Sequence, residues 1–513
     1  MTSHMFSQIP KAEIQRSSFD RSSGVKTTFD AGNLIPFFCD EVLPGDTFNL
    51  RTSGFARLAT PLAPVMDNMY LDTFYFFVPN RLIWDNFQRF MGEQTDPGDS
   101  TDYLVPTLNN FDVPPNSLFD HFGLPVDKII SPNIVSALPF RAYNLIYNEW
   151  FRDQNLQDSV DVPRDDGPDL GSNYNILRRG KRHDYFTSAL PWPQKGPSVD
   201  IPIVSSNAPI MGTGAIGDEV NVLDAAGGGN FNFNDPSGEL QQFHSKQGGP
   251  VNLFADMSSS TAATINQLRQ AFQVQKMFER DARGGTRYTE LIRSHFGVIS
   301  PDARLQRPEF LGGGSSPIHI NPLASTAETS ERDLGSLGGV GTTAFSGHGF
   351  SKSFTEHGFV IGMCSVRADL TYQQGLNRMF TRRTRFDYYW PSFAHLGEQE
   401  ILNREIFMIG AGGESTDEAV FGYQERYAEY RYKPSEIHGL FRSDVPQSLD
   451  YWHLSQDFEN TPVLGPEFIE DNPPIDRIVA VPSEPHFIAD FHHSLRCARP
   501  MPLYGEPGNI DRF

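Results

Sequence analysis

Cysteine is scarce in this sequence, and the few that occur are far apart. The 513 residues contain 3 cysteines, Cys39, Cys364 and Cys497, with no C-x-x-C pair. Three widely spaced thiols cannot all pair with one another, which excludes a disulfide scaffold. We therefore expect reduced thiols, as in a protein that folds in the cytosol.

Long apolar runs and an excess of positive charge are also missing. No run of about 18 apolar residues occurs, so the sequence predicts no membrane insertion, and residues 1–15 lack the apolar centre of a signal peptide. The 63 acidic residues outnumber the 42 Lys and Arg, which gives a net charge of −21. Because free-standing duplex-DNA binders are usually basic overall, we expect contact with nucleic acid only at a local basic patch.

Sequence motifs of catalysis and of metal or cofactor binding are absent as well. There is no GxSxG and no HExxH, and the glycine-rich stretch at 335–343 lacks the lysine of a P-loop. His492 and His493 are adjacent, so on a strand they point to opposite faces. Asp165 and Asp166 lack the acidic ladder of a calcium loop. The sequence predicts no enzyme, no cofactor and no metal site.

Aromatic residues, glycine and proline are abundant by contrast. The 41 Phe supply enough core-forming side chains to exclude a wholly disordered chain, while 44 Gly and 38 Pro disfavour a helical bundle. Short aromatic and β-branched runs between turn residues predict an all-β fold. The predicted strands are Leu34–Cys39, Thr47–Leu50, Met69–Val78, Phe359–Val366, Ala419–Phe421, Arg426–Tyr432, Arg477–Val481 and Phe487–Phe491.

Helices and long loops are predicted mainly for the middle of the chain. Apolar spacing predicts helices at Arg81–Met91, Leu138–Trp150, Ser260–Gly284 and Tyr288–Phe296. The proline-rich segment 96–135 and the segment 298–350, which is largely glycine- and serine-rich, predict long loops ordered by neighbouring chains. The polar residues 1–28 predict an N-terminal arm, and 29–513 a single β-sandwich domain with enlarged loops.

Two basic clusters are candidates for contact with nucleic acid. The first contains Arg178, Arg179, Lys181 and Arg182; the second contains Arg382, Arg383 and Arg385, followed by Tyr388, Tyr389 and Trp390. Arginine beside aromatic rings can hold phosphates while bases stack on the rings. The alternative is that these arginines pair with carboxylates, within the chain or between subunits.

Several long blocks of the sequence are similar to one family. They are FDAGNLIPFFCDEVLPGDTF, PLAPVMDNMYLDTFYFFVPNRLIWDNF, GGTRYTELIRSHFGV with SPDARLQRPEFLGG, RMFTRRTRFDYYWPSFAHLGEQ and the terminal ARPMPLYGEPGNIDRF. These blocks resemble the major capsid protein of gokushovirus-type Microviridae, and the resemblance runs from about Phe29 to the C-terminus. The segment 196–256 has no matching block.

The resemblance implies an eight-stranded viral jelly roll with large loop insertions that contain several short helices. It further implies a T=1 icosahedral shell of 60 copies around circular single-stranded DNA. The expected partners are other copies of the chain, the DNA genome, a small basic DNA-binding virion protein, a DNA pilot protein and a host cell-surface receptor. The expected location is the virion of a bacteriophage, assembled in the cytoplasm of its bacterial host.

Residues 196–256 are predicted to form a surface projection that contacts the host. The segment is glycine-rich and acidic, and the resemblance implies a projecting insertion at this point of the chain. Its apolar residues are the candidates for host contact: Ile201, Ile203, Val204, Ile210, Val220, Val222, Phe231 and Phe233. A functionless surface loop is the alternative for this segment.

For the whole chain, the alternative is an all-β carbohydrate-binding or carbohydrate-cleaving protein with Trp390 and Trp452 as sugar platforms. The size of the purified particle separates the two, because a capsid protein assembles into megadalton shells and a glycan-directed protein does not.

Overall fold

The computed structural model describes most of the chain. The described residues are 15–195, 207–209, 221–223, 230–232, 254–256, 265–301, 304, 306–326, 328 and 334–504. The chain divides into two compact units, Met1–Pro193 with Gly285–Phe513, and Gln194–Gly284. The segment 196–256 belongs to the second unit.

Strands dominate the described residues. In chain order they are β1 Ser17–Asp20, β2 Ser23–Phe29, β3 Ile35–Val42, β4 Thr47–Leu58, β5 Met69–Pro79, β6 Phe111–Asp112, β7 Ile129–Ile130, β8 Asn207–Pro209, β9 Asn221–Leu223, β10 Asn230–Asn232, β11 Phe254–Asp256, β12 Glu309–Ala324, β13 Leu337–Ser353, β14 Gly358–Ala368, β15 Thr371–Tyr372, β16 Glu398–Leu402, β17 Val420–Glu425, β18 Ser435–Glu436 and β19 Phe487–Arg499.

The helices are short, apart from one in the second unit. They are α1 Phe87–Phe90, α2 Leu118–His121, α3 Leu138–Ile146 continued by a π turn Tyr147–Phe151, α4 Ile265–Gly284, α5 Tyr288–Phe296, α6 Asn403–Ile406, α7 Glu414–Asp417 and α8 Pro466–Ile469. The predicted helix ends at Gly284 and Phe296 are confirmed. Gly297 has a φ of 71°, the left-handed value that ends helices and that glycine adopts without strain.

One curled antiparallel sheet forms the centre of the first unit. Its order is β1–β19–β4–β13–β12–β5–β14–β3, with β2 following β1 along the same edge of β19. Apart from β1, the nine strands separate into two groups of four, β2–β19–β4–β13 and β12–β5–β14–β3, joined by the β12–β13 hairpin. This is the strand order of an eight-stranded jelly roll, and the predicted fold class is confirmed.

The two groups of strands are joined across the core by a buried network. His493 of β19 donates from Nε2 to the carbonyl oxygen of Phe37 in β3 at 3.2 Å, and its Nδ1 accepts from the Thr52 hydroxyl at 2.9 Å. Both ring nitrogens are therefore used by the neutral imidazole. Burial lowers the pKa of His493 to about 4, which keeps it neutral at pH 7. The core between the two groups of strands packs around Phe37, Tyr75 and Phe491.

The two groups of strands differ in what covers their outer faces. Strands β5 and β14 are buried on both faces, because a second core lies on their outside. It includes Phe76 and Ile361 of the strands, with Trp84 and Ile146 packed against them. Strands β4 and β19 instead alternate between buried and exposed residues along their lengths. One sheet face of the jelly roll is therefore open to solvent within the described part of the chain.

A buried ion pair holds the second core together. The Arg141 side chain of α3 is fully buried and donates to the Asp169 carboxylate from Nε at 2.7 Å. Its Nη1 donates to the carbonyl oxygens of Ile83 at 3.1 Å and Asp165 at 2.9 Å. The Tyr174 hydroxyl donates to the same carboxylate. The Arg141 guanidinium thus connects helix α3 to the loops around it through hydrogen bonds.

The segment 298–350 differs from the expected long loop. Most of it forms β12 and β13, which are central strands of the jelly roll. Its glycines allow close approach between strands: a Cβ on Gly313 would overlap the carbonyl oxygen of Thr73, and one on Gly349 would overlap that of Leu50. The expectation was wrong because these glycines serve sheet packing rather than turns.

The N-terminal residues 17–28 also differ from the expected arm. Strands β1 and β2 pair with β19 of the same chain, so they belong to the jelly roll and need no neighbour to order them. Residues 1–14 lie outside the described part.

Two predicted strands near the C-terminus are wrong. Arg426–Tyr432 contains a 3₁₀ turn at Ala428–Tyr430, preceded by Tyr427 with a φ of 64°. Arg477–Val481 follows the 3₁₀ turn Ile475–Arg477. Each segment mixes buried residues, such as Tyr427 and Ile478, with exposed ones, such as Tyr430 and Val481, and neither forms a strand.

Candidate nucleic-acid and assembly surfaces

The first basic cluster is mostly tied down within the chain. Arg179 donates to the Asp72 carboxylate of β5 at 2.7 Å, and Arg367 of β14 donates to the same oxygen at 2.9 Å. Arg178 donates to the side-chain oxygen of Asn472 at 2.7 Å. These contacts fasten the cluster to strands β5 and β14 and occupy the guanidinium groups.

Lys181 is the most enclosed member of that cluster. Its Nζ donates to the carbonyl oxygen of Phe468 at 2.6 Å and lies 4.6 Å from the centre of the Phe468 ring. Burial lowers the pKa of Lys181 to about 8, and burial raises the pKa of the nearby Asp471 to about 6 although cations surround it. Only Arg182 is largely accessible: its side chain is 63% exposed, and Asp369 is 3.9 Å away.

The second basic cluster lies in an irregular exposed segment, Met379–Leu396, which we call the aromatic ledge. Its own hydrogen bonds fix its path: the Asp387 carboxylate accepts from the backbone amides of Arg383 and Thr384 at 2.9 and 2.7 Å. Trp390 Nε1 donates to the carbonyl oxygen of Arg385 at 2.7 Å. The large apolar and aromatic residues of the ledge that remain near or above half exposed are Met379, Phe380, Phe386, Tyr388, Tyr389, Trp390 and Leu396.

The three arginines of the ledge differ in availability. Arg382 is paired with Glu429 at 3.3 Å and lies 4.4 Å from the centre of the Tyr430 ring, so it anchors the ledge. Arg383 and Arg385 are exposed, and neither is paired with a carboxylate of the described residues. The ledge therefore presents two available cations beside Tyr388, Tyr389 and Trp390, the combination predicted for single-stranded nucleic acid.

A small cavity of about 180 Å³ lies behind the ledge. Inside it Arg378 donates to Glu405 at 2.9 Å, and the Tyr185 hydroxyl donates to the other oxygen of that carboxylate at 2.9 Å. Burial raises the pKa of Glu405, with Arg378 opposing the shift. Both carboxylate oxygens of Glu405 are thus paired, and Phe380 of the ledge lines the same cavity.

Metal-binding clusters and membrane-spanning helices are both lacking within the described ranges. There, no cluster of three or more His, Cys, Asp or Glu side chains is arranged to hold a metal ion. No described helix is both long and apolar enough to cross a bilayer.

The predicted host-contact residues fall almost entirely outside the described part. Ile201, Ile203, Val204, Ile210, Val220 and Phe233 are not described. Val222 and Phe231 lie on β9 and β10, which pair antiparallel with these two residues directly opposite each other.

Sequence reasoning missed a set of exposed cations on the open sheet face. Arg51 and Arg57 lie on β4, and Arg496 lies on β19. Arg51 and Arg57 are separated by uncharged residues, and Arg496 is near the other end of the chain, so no basic cluster marks them. The signal was the strict alternation in NLRTSGFARL and FIADFHHSLR, which places every second residue on one face.

The jelly roll with long insertions, together with exposed aromatic and basic surfaces, defines a structural protein of the viral coat type. Residues 7–509 match the family model described as capsid protein (F protein). The chain belongs to this phage capsid protein family, and the predicted resemblance is confirmed.

Three curated relatives cover nearly the whole chain, and each is named capsid protein VP1. The protein of Bdellovibrio phage phiMH2K is 49% identical over 99% of this chain and 98% of its own length. That of Chlamydia phage 1 is 43% identical over 98% and 97%, and that of Spiroplasma virus 4 is 35% identical over 98% and 97%. These relatives are structural proteins, so the prediction that the chain is not an enzyme is confirmed.

Proposed function

We propose that this chain is the subunit of a small closed icosahedral shell, of about 60 copies, that encloses circular single-stranded DNA. The observation that carries the proposal is the match to capsid proteins along nearly the full length of the chain. The long insertions between strands support it, because obligate interfaces often bury more than about 2,000 Å² and need such surface.

The chain is expected to act with other virion components. A net charge of −21 cannot neutralise a packaged genome, so a small basic DNA-binding protein supplies counter-charge, and a DNA pilot protein accompanies the genome. Particles purified from infected cells test this composition. Closed megadalton shells with DNA and a small basic protein are expected by electron microscopy and mass spectrometry; a monomer or small oligomer would favour the carbohydrate-directed alternative.

The aromatic ledge is the proposed DNA-contact surface among the sequence candidates. Replacing Arg383 and Arg385 together by glutamate puts repulsive charge beside the stacking rings, so particles are expected to lose packaged DNA at lower salt than the unmodified ones. Nuclease sensitivity of the packaged DNA across a salt series measures this.

The matched control replaces two exposed cations outside the ledge, Lys128 and Arg164, by glutamate. It is expected to retain DNA normally. Equal retention in both variants would contradict DNA contact by the ledge, and failure of the ledge variant alone to form shells would make the ledge a contact between copies.

Residues 196–256 are proposed to attach the particle to a host receptor. Replacing residues 200–250 by a Gly-Ser linker is expected to leave filled shells that adsorb to cells at background level, because the segment belongs to a unit separate from the one that contains the jelly roll. Adsorption of radiolabelled particles measures this. Normal adsorption would contradict the attachment role, and loss of shells would place the segment in the shell itself.

A further inference from the structure

The open sheet face carries free positive charge in an acidic protein. Arg51, Arg57 and Arg496 are exposed there. Arg51 and Arg57 have no ion pair with a described carboxylate, whereas Arg496 lies opposite Asp20 and interacts with it electrostatically. Register brings them together: Arg51 is opposite Ser494, Arg57 is opposite Ile488, and Arg496 is opposite Asn49 on the adjacent strand. The three guanidinium groups thus belong to one continuous surface.

Negative charge on this face is small. The strands β1, β2, β4, β13 and β19 contain two acids, Asp20 and Asp490. Asp490 is paired with Lys26 at 3.2 Å, and Asp20 lies opposite Arg496. A positive excess therefore remains on a face of a chain whose net charge is −21.

The face also offers apolar side chains between its cations. Phe55 is 47% exposed, and Ile488 is 52% exposed. Phe55 lies two residues from Arg57 on the same side of β4, and Ile488 is directly opposite Arg57. An aromatic ring beside guanidinium groups is a platform on which a base can stack while phosphates are held.

We propose that the open sheet face binds single-stranded nucleic acid through its phosphates and lines the interior of the shell. Arg51 and Arg57 are about 20 Å apart at roughly 3.3 Å per residue, and Arg496 is a diagonal neighbour of Arg51, so the three cations span several successive phosphates. The contact is independent of base sequence, because guanidinium groups read only the backbone. This inference rests on the proposed function and adds the orientation of the subunit to it.

The test uses filled particles made by the full chain with Arg51, Arg57 and Arg496 all changed to glutamine. The matched control changes Lys128, Arg164 and Lys433 to glutamine, the same charge difference on exposed sites elsewhere. Each single-strand phosphate contact contributes about 0.7 to the slope of log affinity against log salt, so the slope for DNA retention is expected to fall by about 2 in the test variant. Ultraviolet cross-links between DNA and the peptide that contains Phe55 are expected to be lost with it.

The outcomes separate the inference from the proposed function. Retention and cross-links equal to the control would overturn the inference while the shell proposal stands. A test variant that forms no shell, beside a control that does, would also overturn it, because the face would then be a contact between copies. If unmodified particles contain no DNA, the proposed function itself fails.

Discussion

Arg141→Met is expected to destabilise the jelly-roll unit by about 3–5 kcal/mol, because it leaves the Asp169 carboxylate buried without its partner. Asp169 is 4% exposed and would keep the Tyr174 hydroxyl as a side-chain donor while losing both guanidinium contacts. The carbonyl oxygens of Ile83 and Asp165 would lose a donor as well. The midpoint of urea unfolding of the unassembled chain, followed by tryptophan fluorescence, measures the loss.

Arg164→Met is the control for that prediction. Arg164 lies in the same loop region, but its side chain is exposed, so the midpoint is expected to change little. A midpoint for Arg141→Met equal to that of the control would show that Asp169 is stabilised by something other than the ion pair.

Gly313→Ala is expected to prevent the β12–β5 pairing and with it the formation of shells. The new methyl group would overlap the carbonyl oxygen of Thr73, an atom of the neighbouring strand. Overpacking against movable side chains costs about 1–3 kcal/mol, and a backbone obstacle in a central strand costs more, because the strands must separate. The yield of soluble chain and of sedimenting shells measures the effect.

Gly24→Ala on β2 is the matched control, since its Cβ would meet the Phe491 carbonyl oxygen at 3.6 Å, an ordinary contact. Shells in normal yield are expected from it. Normal yield from Gly313→Ala would contradict the close approach of β12 to β5.

The sequence correctly predicted strands where the residue types favour a strand and the segment also lies within the sheet. Met69–Val78 is aromatic and β-branched and became β5, with its end at Pro79. Gly313 and Gly349 contributed to the wrong prediction of a long loop at 298–350, because glycine taken alone indicates a turn. Only the neighbouring strand shows that these positions require glycine, since a Cβ would overlap its backbone. Residues 17–28 were mispredicted for a similar reason: their partner, β19, is at the other end of the chain.

The candidate surfaces were predictable only in part. The ledge could be found because its arginines and aromatic residues are consecutive in sequence. The sequence could not show which of these arginines form ion pairs, because Glu429, the partner of Arg382, is distant in sequence. The cations of the open sheet face escaped notice because Arg51 and Arg496 become neighbours only through the register of β4 and β19.

The position of β19 also sets the order of events during synthesis. The strand β19 lies between β4 and β2 and hydrogen-bonds to both. The other edge of β4 pairs with β13, but β2 has no sheet partner and one edge of β4 stays open until the ribosome has made almost the entire chain. Until then the edges of β2 and β4 stay unpaired, and unpaired edges promote aggregation. Folding of the jelly roll is therefore a post-translational event of high contact order, which is intrinsically slow. A chain that terminates before Phe487 lacks the strand that joins β2 to the sheet, so we expect a prematurely ended product to be excluded from the proposed shell.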